Sequence, residues 1–151
     1  MVLASLQRLL VARRSSSLQA KVLGAVFLGG AIGSIARFLV ILGVDELALQ
    51  DLSQELVATS IVNLAGAFLL GFVHVIGASR SETWKGFFGP GLAGGFTTMS
   101  GLALITAGAE LGLSSIGSLY WMAVAIQLVL GIFTYWLGTQ VASRRAKKAA
   151  S

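Results

Sequence analysis

Four short groups of polar residues stand inside the apolar runs of this 151-residue sequence. They are Arg37 in "GGAIGSIARF", Asn63 in "ATSIVNLAG", the stretch "GGFTTMS" (94–100) and Gln127 in "AVAIQLVLG". Guanidinium, amide and hydroxyl groups are hydrogen-bond donors, so together they can bind an anion. A stretch rich in glycine and threonine also breaks a helix, and the freed carbonyl oxygens at such a break can bind a cation. These residues therefore indicate ion binding.

Other kinds of chemistry are not expected. The sequence has no cysteine and a single histidine, His74, so it offers neither a disulfide nor a zinc-type metal site. No nucleophile and general base stand together, which argues against an enzyme. No aspartate or glutamate lies well inside an apolar run, which disfavours an exporter of cationic compounds. His74 is interpreted as an interfacial residue.

The elements that carry these residues are predicted to be membrane spans. Hydrophobic residues make up 56% of the chain and charged residues 11%, about half of what a soluble domain carries. Apolar runs of roughly 20 residues match the thickness of a bilayer core. We expect an all-α integral membrane protein with four transmembrane helices, at about 22–43, 56–78, 86–109 and 118–141. The third should be broken, because glycines and Pro90 weaken it.

The basic residues indicate an orientation. Ten of the 11 Lys and Arg residues lie in the N-terminal segment, in the loop at 79–85 and in the C-terminal tail, which four spans place on the same side of the membrane. The eleventh is Arg37, within the first span. The positive-inside rule then places both termini in the cytoplasm of a plasma-membrane protein. Residues 1–21 are a basic leader, or alternatively a transit peptide, residues 22–141 the membrane domain, and 142–151 a basic tail. This distribution explains the net charge of +5 without nucleic acid as a partner.

Three motifs taken together resemble the Fluc/CrcB family of fluoride channels. They are "GGAIGSIARF" (29–38), "ATSIVNLAGAFLLG" (58–71) and "GLAGGFTTMSG" (91–101). The resemblance covers about residues 22–141. It implies an antiparallel dimer of the dual-topology type, with two narrow pores through which fluoride leaves the cell passively.

The resemblance also implies which residues face fluoride. Arg37 matches an arginine near the pore vestibule, and Asn63 matches an asparagine whose amide donates to the ion. Thr98 and Ser100 match hydroxyls that follow the helix break. Fluoride is small and strongly hydrated, so a selective path has to replace its water donors closely. Aromatic ring edges, which are positive, can contribute to this as well.

A structural sodium ion is the cofactor that the resemblance implies. Gly94 and Thr97 match the positions whose backbone carbonyls hold it at the centre of the dimer. The break in the third span would then exist to direct carbonyl oxygens at a buried cation.

The chain departs from the family pattern at the fluoride path. Two phenylalanines that normally line the pore are replaced by Met99 and Leu102, and neither side chain has a ring edge. Gln127 corresponds to a serine of the polar track in the fourth span. The sodium site is thus expected to be kept, whereas part of the fluoride path is not.

A heterodimer follows from these departures and from the charge bias. A strong excess of Lys and Arg on one side should fix one orientation, so an antiparallel dimer would need a paralogous chain of opposite topology. We therefore predict one subunit of a heterodimeric fluoride channel. Two alternatives stay open: a non-conducting membrane scaffold of the same fold, and a homodimeric channel with an unusual pore lining.

The orientation can be measured by labelling single cysteines introduced at Ser81 and Ser114 in intact cells. We expect an impermeant thiol reagent to label the cysteine at Ser114 and not the one at Ser81, because the predicted loop at 79–85 is basic. Comparable labelling at both positions would mean that the chain inserts both ways, which contradicts a fixed orientation.

Overall fold

The structure is a computed structural model, and it describes residues 2–46, 51–100, 103 and 117–150. In this part of the chain all regular structure is helical and no strand is present. The helices are α1 (Val2–Asp45), α2 (Asp51–Gly77), α3 (Glu82–Gly86), a π-helical segment (Phe87–Ala93), α4 (Gly94–Phe96) and α5 (Gly117–Ala150). The predicted all-α class is confirmed for the described residues.

Three of the helices are long and apolar enough to cross a membrane, over Ser16–Asp45, Leu56–Gly77 and Trp121–Lys148. They correspond to the first, second and fourth predicted spans. The third predicted span begins in the helical residues 82–96, but most of its second half lies outside the described residues, so the count of four stays a prediction. Large apolar side chains are widely exposed on these helices, Phe27 at 75% and Ile132 at 74%, as expected of surfaces that face lipid or another chain.

The first and last helices are longer than the predicted spans. α1 has 44 residues, about 66 Å at 1.5 Å per residue, which is roughly twice the thickness of a bilayer core. It continues through residue 21, where the basic leader was expected to end. α5 similarly continues through the basic tail to Ala150. Leucine, alanine, lysine and arginine favour helix, and neither flank contains a glycine or proline that would end it.

Glycines let α1 pack closely against the third helical segment, residues 82–96. A Cβ atom at Gly29 would collide with the carbonyl oxygen of Phe87, and one at Gly33 would collide with that of Leu92. Close approach of two backbones through small residues is how membrane helices gain packing energy. The spacing of these two glycines, four residues apart, is typical of a close helix contact, and here the contact is with the third segment.

The same device joins α2 to α5. A Cβ atom at Gly71 would collide with the carbonyl oxygen of Tyr135, and one at Gly138 with that of Phe68. The described chain thus consists of two closely packed pairs, α1 with the third segment and α2 with α5. The polar residues of interest lie where these pairs meet.

The third segment loses regular α-helical geometry at Pro90 and again at Thr97. Proline has no N–H group, and the turn around it is π-helical, with the Gly94 N–H reaching back to the carbonyl of Gly89. α4 then ends at Phe96, and Thr97 is extended, with φ −76° and ψ 160°. The Thr97 N–H still donates to the carbonyl oxygen of Ala93 at 3.0 Å, whereas the Thr97 carbonyl and the backbone groups of Thr98 must find partners outside an ordinary helix.

The glycine contacts generate a stability prediction. Gly33→Ala should lower the free energy of unfolding in detergent by about 1–3 kcal/mol, because the added Cβ meets backbone that cannot rotate away. Gly24→Ala is the matched control, since nothing lies within 4 Å of the Cβ it would add. That control should be neutral or stabilising by up to about 1 kcal/mol through helix propensity. Equal effects of the two substitutions would show that the α1 contact is not close-packed.

Candidate functional site

Asn63 on α2 holds the backbone of Thr98 with both polar atoms of its amide. Its Nδ2 donates to the carbonyl oxygen of Thr98 at 3.0 Å, and its Oδ1 accepts the N–H of Thr98 at 2.8 Å. The side chain is partly buried. This pair satisfies the N–H and the C=O of a residue that lies just beyond the end of α4. We refer to the two bonds below as the Asn63–Thr98 clamp.

The clamp changes the hydrogen bonding of Gly94. In an uninterrupted α-helix the N–H of residue 98 would donate to the carbonyl oxygen of residue 94. Here Asn63 takes that N–H, so the Gly94 carbonyl oxygen has lost its helical donor. Gly94 is exposed, and its carbonyl is one that the family resemblance implies as a sodium ligand. The extended backbone at Thr97 frees this carbonyl, and the Asn63 side chain takes up the N–H that would otherwise bond to it.

Arg37 on α1 reaches the same break from the opposite side. Its Nη1 donates to the carbonyl oxygen of Thr97 at 3.1 Å, while the Thr97 hydroxyl donates back to the carbonyl of Ala93 at 3.0 Å. The guanidinium thus compensates a carbonyl near the end of α4, where a helix carries partial negative charge. Arg37 was predicted to face a functional partner. In the structure its hydrogen-bond partner is the backbone carbonyl oxygen of Thr97.

These contacts test whether a sodium ion suits the break. The donor set is appropriate, because Gly94 and Thr97 offer neutral carbonyl oxygens, the ligands that hard cations prefer. The Thr97 oxygen has a second lone pair beyond the one that accepts from Arg37. The guanidinium so close to that oxygen opposes a second cation. The residues therefore fit sodium, with Arg37 as a competing charge.

Two hydroxyl groups follow the break. Thr98 Oγ1 and Ser100 Oγ lie 3.1 Å apart, and either can be the donor. Met99 between them is 73% exposed and offers no polar group. Leu102, the second position where the chain departs from the family pattern, lies outside the described residues. The predicted Thr98 and Ser100 hydroxyls are thus neighbours.

Gln127 on α5 forms a polar contact that the sequence did not reveal. Its Nε2 donates to Ser60 Oγ on α2 at 3.0 Å, and the residue is only 8% exposed. Within the described part of the chain its Oε1 is buried and has no hydrogen-bond partner. Rotating the amide by half a turn would let the Ser60 hydroxyl donate to Oε1. The NH₂ group would then take the buried position where Oε1 now lies. This amide can therefore present either a donor or an acceptor.

A cavity of about 700 Å³ between α2, the third segment and α5 brings most of these residues together. Its walls include the following predicted site residues: Asn63, Gly94, Thr97, Thr98, Met99 and Gln127. Arg37 and Ser100 touch two of them without lining the cavity. Tyr135 also lines the cavity and is the one aromatic residue among its described wall residues.

Comparison with known proteins identifies the family of the chain. The family model described as "CrcB-like protein, Camphor Resistance (CrcB)" matches residues 24–139. The protein named fluoride-specific ion channel FluC 2 of Bacillus subtilis (strain 168) is 36% identical over 129 residues, which cover 83% of this chain and 91% of that one. FluC 1 of Lactiplantibacillus plantarum is 33% identical over 114 residues, or 75% of this chain and 91% of that one.

A third relative matches a shorter segment more closely. The fluoride-specific ion channel FluC of Caulobacter sp. (strain K31) is 43% identical over 83 residues, and the match covers 52% of this chain and 62% of that relative. The family match includes all the polar motifs described above, from Arg37 to Gln127. The chain therefore belongs to the CrcB-like family, whose relatives named here are ion channels and not enzymes.

Proposed function

We propose that the chain is a subunit of a fluoride-selective channel that lets fluoride leave the cell passively. The observation that carries the proposal is that Asn63, Thr98 and Gln127, all hydrogen-bond donors, line one largely apolar cavity in a chain of the CrcB-like family. An anion that loses its water needs such donors, and an apolar wall keeps other water away from it. No coupling ion is required, because a negative interior expels an anion by roughly 2.3 kcal/mol per 100 mV.

The donors have capacity left for an anion. One hydrogen of the Asn63 amide is used by the Thr98 carbonyl, and the second remains on Nδ2. Gln127 likewise uses one N–H for Ser60 and keeps another. If Thr98 donates to Ser100, the Ser100 hydroxyl hydrogen becomes available as a third donor. Asn63 then has two roles: it holds the break through the clamp, and it donates to the ion.

A sodium ion would be held by the carbonyl oxygens of Gly94 and Thr97. When bound, it would supply a fixed positive charge that joins the breaks of two chains. The clamp supports this assignment, because Asn63 removes the helical donor from the Gly94 carbonyl. Arg37 would keep the neighbouring carbonyl of Thr97 oriented and would contribute positive charge close to the anion path.

We further propose a heterodimer in the plasma membrane, with both termini of this chain in the cytoplasm. The uneven distribution of Lys and Arg supports one fixed orientation. Met99, mostly exposed on the isolated chain, lies where a ring edge would otherwise meet the ion. A paralogous antiparallel partner with both phenylalanines would supply the missing edges.

Efflux from liposomes tests the proposed function. We expect this chain alone to pass little fluoride, and the chain reconstituted with its partner to pass fluoride rapidly with negligible chloride. Fast and selective efflux from this chain alone would favour the homodimer with an unusual lining. Absence of fluoride efflux under every pairing would contradict the channel and favour a scaffold of the same fold.

One substitution in the same assay tests the site. Asn63→Ala should lower fluoride efflux from the heterodimer by about tenfold or more, because it removes a donor and releases the Thr98 backbone. Thr134→Ala is a suitable control: its hydroxyl is bonded to the carbonyl of Gly131 in its own helix and does not line the cavity. Equal efflux from the two variants would contradict the assignment of Asn63.

A further inference from the structure

A second, smaller cavity adjoins the first. It has a volume of about 350 Å³, and it shares Leu70 and Gly89 with the larger one as wall residues. Its own walls add two groups that can carry positive charge, His74 at the end of α2 and Lys85 on α3. The two cavities thus meet at shared walls, and we call the pair the trough: basic groups line the smaller cavity and the Asn63 amide lines the larger one.

An aromatic contact links the two parts of the trough. The His74 ring lies edge to face against Tyr135, with ring centroids 6.2 Å apart. His74 lines the smaller cavity and Tyr135 the larger one. An ion that moves from the basic end towards Asn63 would therefore pass His74 and Tyr135 in turn.

The basic end of the trough lies at the end of the bundle where the basic segments of the chain meet. Gly86 packs against Val22, which directly follows Lys21, because a Cβ at Gly86 would lie 3.1 Å from Val22 Cγ1. From the other side, the Arg145 guanidinium lies 5.8 Å from the centroid of the Phe72 ring. Lysines and arginines from three parts of the chain thus raise the potential at this end, which attracts anions.

Lys85 forms an ion pair with Glu82. Its Nζ lies 2.8 Å from Glu82 Oε1, and the two side chains are 41% and 64% exposed. Lys85 lines the cavity, whereas Glu82 is not among its wall residues. Lys85 is therefore the member of the ion pair that lies on the cavity wall, and Glu82, which is bonded to its Nζ, weakens the field of Lys85.

We propose that Lys85, assisted by His74, is the anion-collecting group at the mouth of the ion path, and that Glu82 limits its strength. This inference rests on the proposed fluoride-channel function and names residues that set how fast the ion enters. Lys85 acts by raising the local concentration of the anion. It differs in this from Asn63, which touches the ion after its water has been lost.

The test is the initial rate of fluoride efflux from liposomes that hold the chain with its partner, at low and at high ionic strength. At about 0.01 M the Debye length is about 30 Å, and at about 1 M it is about 3 Å. Lys85→Gln should lower the rate about threefold at low ionic strength, which is the Boltzmann factor for one charge roughly 7 Å from an ion in water. The loss should disappear at high ionic strength.

Two further variants make the test specific. Glu82→Gln should raise the rate at low ionic strength, a gain that damage to the fold would not produce. Arg80→Gln removes the same charge from an exposed residue outside both cavities, and it should change the rate much less than Lys85→Gln.

The outcomes separate this inference from the function on which it rests. Equal losses for Lys85→Gln and Arg80→Gln at low ionic strength would overturn the assignment of Lys85 while leaving the channel intact. A loss for Lys85→Gln that persists at high ionic strength would do the same, because screening should remove an electrostatic effect. No fluoride efflux from the unmodified complex would overturn both.

Discussion

Backbone N–H and C=O groups that are shielded from water must have hydrogen-bond partners. The structure around the helix break depends on how the two backbone groups of Thr98 are paired. One asparagine side chain from α2 satisfies both groups, at 2.8 Å and 3.0 Å. An amide side chain suits this task because it has one donor and one acceptor side by side, as a peptide has. The clamp lets the third segment leave helical geometry without unpaired backbone groups at Thr98. It also takes the N–H that would bond to the Gly94 carbonyl in a continuous helix, so a single side chain stabilises the break.

The remaining contacts bring the parts of this break together. Glycines let α1 lie directly on the third segment, which brings Arg37 to the break, and they let α2 lie directly on α5, which brings Gln127 to Ser60. At this short separation Arg37 reaches the Thr97 carbonyl at 3.1 Å, and Gln127 reaches Ser60 at 3.0 Å. The cavity that results has apolar walls with a few directed polar groups. Such a site weakens competition from water, which is what recognition of a strongly hydrated anion requires.

Several of these features could be predicted from the sequence, because they depend on residue type within an apolar run. A guanidinium or an amide in a membrane span must find a partner, so Arg37 and Asn63 are conspicuous, and the glycine spacing indicates a close helix contact. The identity of each partner depends on how separate helices are arranged, and no local pattern encodes it. For this reason the clamp on Thr98, the contact of Gln127 with Ser60 and the position of Tyr135 on the cavity wall were not predicted. The full length of α1 was also missed, because hydropathy marks the buried part of a helix and not its ends.

The clamp can be measured directly, since Asn63 is the single asparagine of the chain. Labelling asparagine with ¹⁵N at Nδ2 alone and threonine with ¹³C at the carbonyl position allows a through-space solid-state NMR correlation in lipid bilayers. The observed 3.0 Å contact puts Asn63 Nδ2 about 4 Å from the Thr98 carbonyl carbon. We predict a strong cross-peak, lost in Thr98→Ser, which keeps the backbone and the hydroxyl but removes the label. A missing cross-peak in the unmodified chain, or one that persists in Thr98→Ser, would contradict the clamp and the account of the site that depends on it.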